Sequence, residues 1–147
     1  MGSTYLSLHY HIVFGTKGRV PSIHKKWRGE FHRYIGGTVK GLNGIGRCVG
    51  GASDHVHLLV SLSATHNIAD FMRELKKATS VWAAETYDPE FAWQEGYAAF
   101  SVSASLQEKV RHYIDSQEEH HTRVSFMEEL KLLLKKHEID YNPKYLA

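Results

Sequence analysis

Between Tyr5 and Phe14 the chain alternates. Leu6, Leu8, Tyr10, Ile12 and Phe14 fall on one side, and Tyr5, Ser7, His9, His11 and Val13 on the other. A period of two in aromatic and branched residues predicts a strand. Gly15-Thr16-Lys17-Gly18-Arg19 with Pro21 predicts a basic loop. From Trp27 to Lys40, Trp27, Phe31, Tyr34 and Ile35 recur at intervals of three and four, the pattern of a helix that Gly41 stops. A glycine-rich strand is predicted between Gly44 and Ala52, then a turn at Ser53-Asp54 and a strongly apolar strand from His55 to Leu62. Asn67 predicts the cap of a second helix along Ile68, Phe71, Met72, Leu75, Ala78, Val81 and Trp82, ended near Asp88-Pro89. Tyr97 to Val102 predicts a short strand. Ser105 with Glu108, and Ser125 with Glu128, have capping-box spacing. They predict two more helices, one along Leu106, Val110, Tyr113, Ile114 and Gln117, the other along Phe126, Leu130, Leu133 and Leu134. The tail from Ile139 to Ala147 has no period.

The order strand, helix, strand, strand, helix, strand, helix, helix predicts an α+β fold. A ferredoxin-like antiparallel sheet with helices on one face accounts for its first six elements. The helices from about residue 105 are surplus to that core.

Composition narrows the class. The length of 147 residues predicts one domain spanning 1–147. With 42% apolar and 23% charged residues, the chain is neither disordered nor collagen-like. No apolar run approaches the roughly 18 residues of a spanning helix, so no membrane partner is expected. Met1-Gly2-Ser3 begins neither a basic nor an apolar leader region, and the lone Cys48 fits the reducing cytoplasm. The net charge of +2 hides an asymmetry. Up to Val60 there are eight Lys/Arg against Glu30 and Asp54, and thereafter ten against fourteen acidic residues. A basic half is what a polyanion-binding face needs, although a solvated basic surface has the same composition.

Three groupings carry candidate chemistry. His55 and His57 flank Val56 on a strand, so both imidazoles project from one face and can converge on a cation. The plainer reading is a pair of hydrogen-bonded core histidines, and His9-Tyr10-His11 repeats the spacing. Tyr113 and Gln117, one helical turn apart, can reach one site as phenol nucleophile and amide ligand. A tyrosine on an apolar stripe is equally a core residue with its hydroxyl paired. Glu118-Glu119-His120-His121 follows, and also reads as a polar helix end.

These residues carry a resemblance. Asp54-His55-Val56-His57-Leu58-Leu59-Val60, after Tyr10-His11-Ile12-Val13-Phe14 with Lys17 and Arg19, resembles the HUH (His-hydrophobe-His) signature of the single-tyrosine transposases of small bacterial insertion sequences, the IS200-like family. Tyr97 to Ser103 is similar to the same family. So is Tyr113-Ile114-Asp115-Ser116-Gln117-Glu118-Glu119-His120-His121, followed by Phe126, Glu128, Glu129 and Leu133. The likeness runs from about Tyr5 to Tyr145, and the palindrome-associated tyrosine transposases share these motifs.

The resemblance implies His55, His57 and Gln117 as ligands of Mg2+ or Mn2+, with zinc not excluded by ligand type. It implies Tyr113, on the C-terminal helices, as the nucleophile, with His120 and His121 as candidate bases. The activity implied is cleavage and rejoining of single-stranded DNA hairpins at element ends by a homodimer, through a 5′-phosphotyrosine. Lys17, Arg19, Lys25, Lys26, Arg73, Lys76 and Lys77 are the candidate DNA-binding cations, and Trp27, Trp82 and Tyr97 the candidate stacking rings. A histidine-triad hydrolase fails because Leu59 stands where a third histidine is needed. The rivals are a phosphodiesterase or nuclease using water, and a domesticated single-stranded nucleic-acid binder.

Overall fold

In the computed structural model, which describes residues 2–121 and 123–145, the two best-patterned strands form the middle of one sheet. β1 (His9–Gly15) and β3 (His55–Ser61) pair antiparallel, with Val13 opposite His57 and Gly15 opposite His55. β2 (Ile45–Gly51) flanks β3 and β4 (Ala98–Val102) flanks β1. The order is β2-β3-β1-β4 with every neighbour antiparallel, the ferredoxin-like arrangement that the element order predicts.

Period two then sorts the side chains. Ile12, Phe14, Val56, Leu58 and Val60 face α1 (Lys25–Gly41) and α2 (Ile68–Thr86), where they meet Phe31, Ile35, Phe71 and Leu75. Their alternates face α3 (Gln107–Asp115), α4 (Gln117–His120) and α5 (Phe126–Lys136). On that side Val13 and Phe100 pack with Phe126, Leu130 and Leu134, and Leu59 and Val102 pack with Ile114. The surplus C-terminal helices therefore cover the second face of the sheet, and every residue of β3 is buried.

Two glycines set how closely those helices approach. A Cβ on Gly15 would lie 2.6 Å from Gln94 Oε1 and 2.8 Å from Phe126, and one on Gly50 would overlap the Ile114 carbonyl of α3. Asn67 accepts from the Asp70 amide and Ser125 from the Glu128 amide, so both predicted caps form.

Two expectations are corrected. β1 starts at His9 rather than Tyr5, because the pairing with β3 ends at His9–Ser61 and leaves Tyr5 and Leu6 exposed. Ser105 does not cap α3. A 3-10 turn over Ala104–Leu106 intervenes, and the Ser105 hydroxyl meets Ser103 instead.

Candidate active site

The second face of the sheet holds the chemistry. His55 and His57, fully buried, project from β3 toward α3–α5, while Val56 enters the core on the other side. Tyr113 and Gln117, a turn apart, bring the phenol and the amide to the same place. His55 Nε2 lies 2.9 Å from Gln117 Oε1, and the Tyr113 ring stands edge-on to His57 with centroids 5.7 Å apart. The four residues meet within one chain.

At the centre is Glu129, from α5 and 2% exposed. Its Oε1 lies 2.8 Å from His57 Nε2 and 3.1 Å from His121 Nε2. Its Oε2 accepts from Gln117 Nε2 at 2.9 Å and from the Tyr113 hydroxyl. His11 on β1 backs the group, its Nε2 2.7 Å from His57 Nδ1. His120 Nε2 is buried, finds no hydrogen-bond partner among the described residues and lies 3.4 Å from Glu129 Oε2. Phe126 stacks on His55 at 4.3 Å, in the space that Gly15 leaves.

Electrostatics follow from burial and from Glu129. Burial lowers His57 to about 4 although the Glu129 hydrogen bond opposes it, and burial with the neighbouring His57 lowers His11 to about 3. Burial alone would raise Glu129, but hydrogen bonds from His121 and His57 outweigh it and hold the carboxyl well below its usual range. Burial and the adjacent Glu129 push the Tyr113 phenol up. For His121, desolvation is outweighed by Glu129, and its pKa rises.

The donor set fits a divalent cation. Asp54 Oδ1 lies 2.8 Å from His55 Nδ1, and that hydrogen bond, outweighing burial, keeps Asp54 ionised. With the Nδ1 proton directed to that carboxylate, His55 Nε2 presents a lone pair to Gln117 Oε1, which is itself an acceptor because Gln117 Nε2 donates to Glu129. Glu129 Oε1 points into the same space, 3.6 Å from His55 Nε2, and His121 Nε2, whose proton goes to Glu129, lies 2.9 Å from Gln117 Oε1. A cation relieves such converging lone pairs. His55, His57, His121 and Glu129 each offer one ligand atom, all within 4.8 Å of one another.

The site opens on two sides: a cleft of about 390 Å³ beside Tyr113, and one of about 290 Å³ beside His121, Asp54 and Arg28.

The remaining candidates lie elsewhere. Lys17 and Arg19 occupy a 3-10 turn after β1, and Lys25 and Lys26 open α1. Arg73, Lys76 and Lys77 lie on α2, across the sheet from Tyr113. Arg73 pairs with Asp70 and Glu74, and Lys76 donates to the carbonyls of Gln94 and Gly96 at 2.6 and 2.8 Å. Trp27 is 5% exposed and stacked on Tyr87, so it belongs to the core; Trp82, half-buried, stacks on Tyr34, and Tyr97 is exposed. Sequence reasoning missed the roles of Glu129 and His11. The available signal was a carboxylate on α5's apolar stripe, three residues after Phe126 and four before Leu133.

The fold is similar to that of a candidate transposase from Deinococcus radiodurans, at TM-score 0.64 and 22% identity over 80% of this chain and 96% of that one. It is also similar to a REP-associated tyrosine transposase bound to a REP hairpin, at TM-score 0.52 and 14% identity over 78% and 68%. No curated protein matches. The sequence pattern described as "Transposase IS200 like" matches residues 4–117. The chain thus belongs to the IS200-like transposase family and is a transposase.

Proposed function

We propose that this transposase cleaves and rejoins single-stranded DNA at hairpin-marked element ends by transesterification, with Tyr113 as nucleophile and His55, His57 and Gln117 as metal ligands, joined by His121 and Glu129. The observation that carries the reading is the meeting of the Tyr113 hydroxyl, the paired imidazoles and the Gln117 amide around Glu129 in one chain. A bound Mg2+ or Mn2+ supplies positive charge for a phosphate oxygen.

The chain's own residues do the rest. Tyr113 Oη attacks phosphorus, the bond to the 3′ oxygen breaks, and the products are a 5′-phosphotyrosine and a free 3′-hydroxyl. An ordinary phenol is ionised about one part in a thousand at pH 7, a deficit of about 4 kcal/mol. Burial enlarges it here, so the proton needs an acceptor already in contact. Glu129 Oε2 accepts that hydrogen bond and, because its own pKa is held low, passes the proton on toward His120, 3.4 Å beyond. A second 3′-hydroxyl reverses the step and rejoins the strand without a nucleotide cofactor.

The hairpin substrate is supported by the likeness to the hairpin-bound transposase. Lys17, Arg19, Lys25, Lys26, Arg73, Lys76 and Lys77 would carry the electrostatic part of binding. The chain acts as one domain in the cytoplasm, paired as a homodimer to bring two DNA ends together. Among the described residues no helix is long and apolar enough to cross a membrane.

The test is incubation with a labelled hairpin from the element's own ends and Mn2+. A denaturation-resistant adduct at Tyr113 is expected, and Tyr113→Phe should abolish it while leaving metal binding intact. Cleavage that survives Tyr113→Phe would instead establish water as the nucleophile.

A further inference from the structure

The cleft beside Tyr113 has a character that the metal site does not explain. It lies between β4, α3 and α5, and Tyr113 and Glu129 form part of its lining. Its walls are apolar: Phe100 from β4, Val110 from α3 and Leu133 from α5. Leu106 and Leu132, at 50% and 63% exposed, are also part of its lining. Lys109 and Lys136 are exposed on the same cleft, where His137 stacks on Phe100 with centroids 4.2 Å apart.

We propose that this cleft is a nucleotide subsite, taking one unstacked base of the single strand next to the attacked phosphate, with Lys109 and Lys136 holding the adjoining backbone. Its place beside that phosphate rests on the reading of Tyr113 as nucleophile. A phosphate alone would have no use for apolar walls, and a purely apolar ligand none for two lysines; a nucleotide requires both. A volume of about 390 Å³ sits near the low end of small-molecule pockets and has room for one nucleotide. The subsite would let the protein read identity at one position of the strand, separately from the hairpin.

The test follows the Leu and Val methyl resonances of the protein during titration with each of the four 2′-deoxynucleoside 5′-monophosphates to millimolar concentration, without metal. At least one nucleotide should shift the methyls of Leu106, Val110, Leu132 and Leu133, whereas 2-deoxyribose 5-phosphate should not. Leu132→Glu and Lys136→Glu, both at exposed positions, should each weaken binding at least tenfold. Silence with all four nucleotides, equal shifts with the baseless sugar phosphate, or unchanged affinity in both variants would overturn the subsite. The measurement needs neither metal nor cleavage. A Tyr113 adduct with silent methyls therefore removes only the subsite, and shifted methyls without an adduct keep a nucleotide site but remove the tyrosine reading and with it the site's place beside the attacked phosphate.

Discussion

At the scale of the residue, Glu129 organises the site. One carboxylate faces His57 and His121 through one oxygen and takes hydrogen bonds from Gln117 and Tyr113 through the other. Glu129→Gln keeps the shape but removes the charge and one acceptor oxygen. It should weaken Mn2+ binding on the order of 10- to 100-fold, measurable by calorimetric titration, because the ligands lose both their charged member and what orients them. It should also slow adduct formation, since the Tyr113 proton loses its carboxylate acceptor. An unchanged Mn2+ affinity would assign Glu129 a purely architectural role. Periods of two and four put His55 with His57, and Tyr113 with Gln117, on one face each, and the family resemblance, not the period, implied their roles. Glu129 was not legible in the sequence, because nothing in a one-dimensional period joins α5 to β3 across 72 residues. Its position on an apolar stripe hinted at burial without naming a partner.

Among the elements, the docking of α3 on the sheet decides whether Tyr113 reaches the histidines. That docking passes through Gly50, where an added Cβ would overlap the Ile114 carbonyl and lie 2.8 Å from its Cγ2. Gly50→Ala should therefore lift α3, destabilise the protein by about 1–3 kcal/mol in urea denaturation, and reduce adduct formation by displacing the residue next to Ile114. Gly46→Ala, on the same strand, is the control: its nearest neighbour would be 3.7 Å away, and both readouts should barely move. A Gly50→Ala protein with wild-type stability would mean that α3 is not seated on β2. The elements themselves were largely legible, because α1, α2, α5 and β3 combine a clear period with a cap or a stop signal. The start of β1 and the cap of α3 were not. A strand ends where its partner does, and a Ser-x-x-Glu spacing cannot show that a 3-10 turn intervenes.

For the whole molecule, burying so many imidazoles makes stability depend on pH. His57 and His32 are lowered to about 4 and His11 to about 3, burial being the first cause in each. Folded, they stay neutral where the unfolded chain takes up protons, below about 6.5, so the unfolded state binds more protons and stability falls as pH drops from 6.5 toward 4. Glu129 adds to the loss at the lower end, since its depressed pKa contributes stability that is present above its ordinary 4.5 and fades below it. His121, raised, works the other way: its contribution is whole below 6.5 and is lost as pH rises through its folded value. Three lowered histidines outweigh one raised, so chelator-treated protein should lose about 2–4 kcal/mol between pH 7 and pH 5, read from urea midpoints. A divalent metal adds a second dependence of the same sign, because His121, whose pKa is raised, must give up its proton to bind it. At pH 7, Mn2+ at a hundred times its dissociation constant should stabilise the fold by about 2.7 kcal/mol, and at pH 5 by much less. A midpoint that Mn2+ raises equally at both pH values would place the ion away from His121. One that Mn2+ never raises would leave the converging lone pairs of His55, Gln117 and Glu129 to be satisfied by a proton alone.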